Sequence, residues 1–117
     1  MEEIEIHVDP AAIEEQLTPL LEGAIAHFGL EIRMRGTLRT YPGSEHWHIY
    51  KPGERGTLEV TMWPEGKRVW FSVQAGRRAG WIADIVPQLK AWVEGQIALR
   101  SLEMSKDIMK GRRNYDR

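Results

Sequence analysis

Two histidines one residue apart, His46 and His48 in the run His46-Trp47-His48-Ile49-Tyr50-Lys51, have the type and spacing that first suggest chemistry. Side chains in a strand repeat every second residue, so both imidazoles fall on one face, as some metal sites require. Zinc takes three or four ligands, and Glu59 is the only obvious third donor. Two imidazoles alone make no site, so neither a metal nor a cofactor is expected. The simpler reading is a cross-strand pair of His48 and Glu59, stabilising by about 0.2–1 kcal/mol without any function. A row of Ser72, Glu59 and His48 superficially holds a nucleophile, an acid and a base. Activation of a serine needs the histidine between serine and carboxylate, whereas here the carboxylate is central. There is no G-x-S-x-G elbow and no glycine-rich phosphate loop. His48 and Glu59 are the candidates for general acid–base work, and no catalytic role is assigned.

The elements that position these residues are three strands joined by two hairpins between His46 and Arg78. In Thr57–Trp63, Leu58, Val60 and Met62 share one face, with Thr57, Glu59, Thr61 and Trp63 on the other. In Arg68–Ala75 the apolar set is Val69, Phe71, Val73 and Ala75, opposite Arg68, Trp70, Ser72 and Gln74. Pro64-Glu65-Gly66-Lys67 has turn chemistry and sets Trp63 opposite Arg68, Thr61 opposite Trp70 and Glu59 opposite Ser72. Closure through Lys51–Gly56 sets Tyr50 opposite Thr57, His48 opposite Glu59 and His46 opposite Thr61. One face is then apolar and the other a grid of His, Glu, Ser, Arg and Trp.

Around this core, Glu3–Val8 alternates as a first strand. Asp9 and Pro10 then suit the N-cap and first position of a helix, with Val8 and Ile13 as a hydrophobic staple. Its apolar stripe runs from Ile13 to Phe28, and Pro19 predicts a kink or two short helices with Thr18 capping the second. Glu31–Thr40 reads as a strand with Ile32, Met34 and Leu38 inward and Arg33, Arg35, Thr37 and Arg39 forming an outer ladder. A long final helix carries Ile82, Ile85, Val86, Leu89, Trp92, Val93 and Ile97, with Pro87 in its first turn, so that either Asp84 caps it or a short separate turn at Trp81–Asp84 precedes it. The fold class is therefore α+β, in the order β-α-β-β-β-β-α. One curved antiparallel sheet packs on a kinked N-terminal helix and a long C-terminal helix. Residues 1–109 form one domain and 110–117 a basic tail expected to be disordered. The outline, with a strand at the start and a long last helix, resembles that of helix-grip proteins, which bind hydrophobic ligands. The α-β-β-β-α portion, with Arg77 and Arg78 near the start of the last helix, resembles double-stranded RNA-binding domains. The strands are too few for the first and the glycine and lysine pattern of the second is missing, so no family is assigned.

At 117 residues the chain is long enough for one core. It has no cysteine, which excludes disulfides and thiolate metal sites. No apolar run approaches the ~20 residues of a membrane span and no signal peptide is read, so a cytoplasmic location is expected. Net charge is −1, but residues 1–32 hold eight acidic side chains and no Lys or Arg, against nine acidic and sixteen basic in residues 33–117. Such asymmetry marks an anion-binding side or lets the two parts attract on folding, and the second is favoured.

Trp63 and Trp70 fall on the polar sheet face beside Arg68 and Tyr50, a mixture that binding surfaces use. The expected binding face comprises His46, His48, Tyr50, Glu59, Trp63, Arg68 and Trp70, with Arg77 and Arg78 at its end. The first functional reading is a non-catalytic interaction module binding itself as a homodimer, or another protein. The same aromatics could instead be covered by the C-terminal segment or by a second copy. The alternative is a small-ligand binder or minor enzyme with a pocket between sheet and last helix, lined by Met34, Met62 and Trp92. Nucleic acid binding along Arg33, Arg35, Arg39, Arg68, Arg77 and Arg78 is a further alternative, opposed by the near-neutral net charge.

Overall fold

A computed structural model describes the backbone of residues 1–8 and 14–115 and the side chains of 1–8 and 15–100. The expected cap at Asp9-Pro10 and the staple to Ile13 lie outside the described residues. Five strands form one antiparallel sheet: β1 (Glu2–Glu5), β2 (Glu31–Gly36), β3 (Glu45–Tyr50), β4 (Leu58–Trp63) and β5 (Arg68–Val73), in the spatial order β1-β5-β4-β3-β2. Helix α1 (Glu14–His27) precedes β2, and α2 (Gly80–Tyr115) follows β5 and continues through most of the expected tail. No helix among the described residues is long and apolar enough to cross a membrane.

Alternation explains the two faces. Trp47, Ile49, Leu58, Val60, Val69 and Phe71 point to the helix side and are buried there against Leu17, Leu21 and Ile25 of α1 and Leu89 and Val93 of α2. Each such side chain contributes about 1.5–3 kcal/mol by leaving water. Trp92 is half-buried at the rim of this core, where it stacks on His27 with ring centroids 5.5 Å apart.

Both prolines sit inside continuous helices. Helix α1 runs through Pro19 as one element, and the Thr18 hydroxyl donates to Glu45 Oε2 rather than capping a second helix. Helix α2 starts seven residues before Pro87 instead of beginning with it. That earlier turn is anchored by buried Trp81 and Ile82 and by the Trp81 Nε1–H donated to Arg55 O at 2.6 Å. Tertiary packing there outweighs the single helical bond a proline forfeits.

The largest departure from simple alternation is in β2. Its register against β3 shifts between Ile32 and Met34, the mark of a bulge at Arg33. One extra residue inverts the faces beyond it. Met34 therefore lies opposite His48 on the outer face and is 42% exposed, so it cannot line a pocket with Met62 and Trp92. Arg35 turns to the helix side, over the Trp47 ring at 4.5 Å and bonded to Glu22 of α1 at 2.7 Å, which breaks the expected ladder of arginines. The Arg35–Glu22 pair and the bonds of Arg68 to Glu3 and Glu5 of β1 join the acidic first part of the chain to the basic remainder.

Gly56 is where the chain tolerates no side chain. Its φ is +96°, and a Cβ there would lie 2.7 Å from Ala79 Cβ and 3.0 Å from Arg77 O. Strain in this region costs about 1–3 kcal/mol and overpacking a similar amount. Gly56→Ala is expected to destabilise the protein by about 2–3 kcal/mol in urea unfolding followed by circular dichroism. A variant as stable as wild type would show that the 55–57 and 76–79 segments are not held this closely.

Candidate metal centre

The outer face of the central strands carries the predicted grid. Trp63 opposes Arg68, Thr61 opposes Trp70 and Glu59 opposes Ser72 between β4 and β5, while His48 opposes Glu59 and His46 opposes Thr61 between β3 and β4. Ser72 is buried beside Glu59, with the carboxylate between it and His48, which leaves the serine without a base.

This face is not open. Trp70 is 2% exposed, His46 5% and Glu59 3%, against the expectation of a solvent-facing surface. Residues 37–44 fold back over one end of it. Tyr41 sets its ring edge-on to Trp63 and Trp70 at centroid distances of 4.8 and 5.0 Å, and Trp63 Nε1–H donates to Pro42 O at 3.0 Å. The segment is braced by its own bonds, Ser44 N–H to Tyr41 O and Leu38 N–H to the Ser44 hydroxyl. Arg68 covers the other side of Trp70, its Cζ 4.0 Å from the ring. The hydrogen bond to Glu5 raises the pKa of that guanidinium. The cover over the tryptophans is thus a neighbouring loop.

Next to these covered tryptophans three side chains converge on the same face. His46 Nε2 lies 2.9 Å and His48 Nε2 3.6 Å from the same oxygen, Glu59 Oε1. The pairing inferred from register, His48 with Glu59, is present, but the diagonal His46 is the closer partner. Alternation alone does not reveal this, because diagonal reach depends on ring orientation. His46 Nδ1 is 2.8 Å from the Thr61 hydroxyl. The second carboxylate oxygen, Glu59 Oε2, is buried and has no hydrogen-bond partner among the described residues; Arg77 Nη1 stands 3.8 Å away. An unsatisfied buried carboxylate oxygen costs about 1–3 kcal/mol or more, so this atom calls for a partner.

Electrostatics keep the imidazole available. Burial lowers the pKa of His48, the nearby Glu59 carboxylate opposes that, and His46 and Arg77 lower it further. At neutral pH the ring is neutral, with one nitrogen lone pair free to coordinate. His46 can use Thr61 in either tautomer. With Nε2–H donated to Glu59, Nδ1 accepts from the hydroxyl; with Nε2 bare, Nδ1–H donates to the hydroxyl oxygen. One ligand atom from each of His46, His48 and Glu59 lies within 4.8 Å of the others.

The remaining predicted residues scatter. Tyr50 sits at the edge under Arg33, whose Cζ is 4.9 Å from its ring. Arg77 reaches the centre, whereas Arg78 lines an apolar cleft of about 400 Å³ between β1 and α2, with Ile4, Val73, Ile82, Val86 and Lys90. That cleft, and not one at Met34 and Trp92, is where sheet and last helix leave space. Arg35 faces the helices, Arg33 pairs with Glu31 and Arg68 with Glu5, so the arginines do not share one track. No family model matches this chain, and neither does any curated protein or solved structure.

Proposed function

We propose that this chain is a metal-binding domain that holds one divalent first-row transition ion, such as zinc, through His46 Nε2, His48 Nε2 and Glu59. The observation that carries the reading is the convergence of both Nε2 atoms on one buried carboxylate whose second oxygen accepts no hydrogen bond. Two imidazoles and a carboxylate are a ligand set used for zinc, and the same set binds non-haem iron(II). Thr61 supports it from behind, orienting the His46 ring and able to accept Nδ1–H when Nε2 is bare. Three protein donors leave coordination positions for water or a ligand oxygen, so the centre has the open form of catalytic rather than structural sites. What it supplies is a Lewis acid beside the Arg77 guanidinium. The expected protein-binding or self-associating face draws no support from Trp70, which is held inside the domain.

Zinc titrated calorimetrically into chelator-stripped protein should bind one equivalent with a dissociation constant tighter than about 10 μM. His48→Ala should weaken this by at least about tenfold, whereas His7→Ala, at an exposed imidazole far from the centre, should leave it unchanged. Binding that survives His48→Ala, or none in the wild type, would sink the assignment.

A further inference from the structure

Next to Glu59 on the outer face is a second polar opening, a cavity of about 390 Å³ lined by Arg55, Gly56, Thr57, Gly76, Arg77 and Arg78. Three of these six residues are arginines and none is acidic. Thr57 immediately precedes β4 and lies two residues, about 7 Å along the chain, from Glu59. Through Arg77, which lines it, the cavity adjoins the histidine and carboxylate cluster.

Its walls are two short segments tied together. Thr57 N–H donates to Arg77 O at 3.1 Å, and Trp81 Nε1–H holds Arg55 O at 2.6 Å. Gly76 adds no side chain and has open space where a Cβ would stand, so a ligand can approach the backbone closely there, whereas Gly56 is packed against Ala79 and Arg77 O. Arg77 belongs to both sites: its Nη1 is 3.8 Å from Glu59 Oε2, too long for a hydrogen bond, while its side chain remains 44% exposed at the cavity. A guanidinium presents five N–H donors in a planar fork that matches oxyanions, and this one is not saturated by Glu59.

We propose that this cavity binds a small molecule through a dianionic oxyanion group of the phosphate type, held by Arg55, Arg77 and Arg78, with Arg77 linking it to the centre at His46, His48 and Glu59. Three cationic side chains with no lining acid favour a dianion over a single carboxylate. The volume is at the scale of small-molecule pockets, roughly 300–1,000 Å³, and the other arginines lie elsewhere, so a small molecule fits better than a nucleic acid strand. The link to the metal rests on the proposed function; the arginine site does not. When both are bound, an oxygen of the anion takes an open metal position, and each ligand tightens the other by the same factor.

Inorganic phosphate is the probe, titrated calorimetrically into stripped protein and into protein carrying one equivalent of zinc, with folding verified by circular dichroism. Saturable binding is expected in both, tighter with zinc. The Arg55→Gln/Arg77→Gln double variant should weaken it at least about tenfold, while Lys90→Gln, which lines the neighbouring apolar cleft but not this cavity, should leave it unchanged. His48→Ala should remove the effect of zinc but retain phosphate binding. Absence of saturable binding, affinity unchanged in the double variant, or a single-stranded oligonucleotide bound more tightly than phosphate would each overturn the anion site. Equal phosphate affinity with and without bound zinc would overturn the link. Loss of phosphate binding in the double variant together with no zinc uptake by wild type would remove the metal reading and leave the anion site standing.

Discussion

Trp70→Ala is expected to lower the free energy of unfolding by about 3–5 kcal/mol, the range for truncating a buried aromatic side chain. Position on the outer face would suggest a mild effect, since that side of a sheet is often solvated. Here the indole is 2% exposed, with Tyr41 edge-on at 5.0 Å and Arg68 Cζ at 4.0 Å. Alanine would leave a void between the 37–44 loop and β5 that neither neighbour can fill, because Tyr41 is also held against Trp63 and Arg68 is bonded to Glu3 and Glu5. Trp63, only half-buried, should cost less, mainly the contact with Tyr41 and the bond to Pro42 O. For a domain of this size the loss at Trp70 corresponds to a fall in Tm of roughly 15 °C. Urea unfolding of both variants, with light scattering to compare mass, makes the check. A Trp70→Ala protein within about 1 kcal/mol of wild type would mean that the ring is not enclosed as described.

How far this was legible in the sequence depends on the range of the forces involved. The pairing of β3, β4 and β5 could be read for every predicted pair but Tyr50–Thr57, where β4 begins one residue later, because a period of two and two turns leave one register that hides Val60, Phe71 and Ile49 together. The bulge at Arg33 could not. Its alternating run looks regular, and the contacts that accompany the shift, Arg35 over Trp47 and its bond to Glu22, are with residues distant in sequence. Pro87 misleads for a related reason: a local rule about helix starts yields to the burial of Trp81 and Ile82 six and five residues earlier. At the candidate site the three donors and their strands were legible, but not their depth. Tyr41 in a Pro-Gly turn gives no sign that the turn folds back over two tryptophans. The role of His46, opposite Thr61 by register yet closest to Glu59 by ring position, depends on side-chain torsions that spacing does not encode.

Glu59→Gln separates the structural from the metal-binding roles of the carboxylate. Glutamine keeps the shape and an acceptor for one imidazole N–H, and its amide can donate to a bare ring nitrogen of the other. Stripped protein should therefore stay within about 1 kcal/mol of wild type, because a neutral residue also escapes the cost of burying an incompletely paired charge. Glu59→Ala is the contrasting case. Removing the carboxylate leaves buried imidazole nitrogens without a partner, at about 1–3 kcal/mol each, and His46 would keep only its bond to Thr61. Zinc should then divide the variants differently. Wild type at a free ion concentration about a thousand times the dissociation constant gains about 4 kcal/mol, a rise in Tm of roughly 15 °C. Glu59→Gln should gain almost nothing, since an amide oxygen is a poor replacement for an anionic ligand. Thermal unfolding of wild type, Glu59→Gln and Glu59→Ala, each with and without zinc, reads both effects at once. A zinc-dependent rise retained in Glu59→Gln would place the ion elsewhere and reduce the cluster to a buried ion pair.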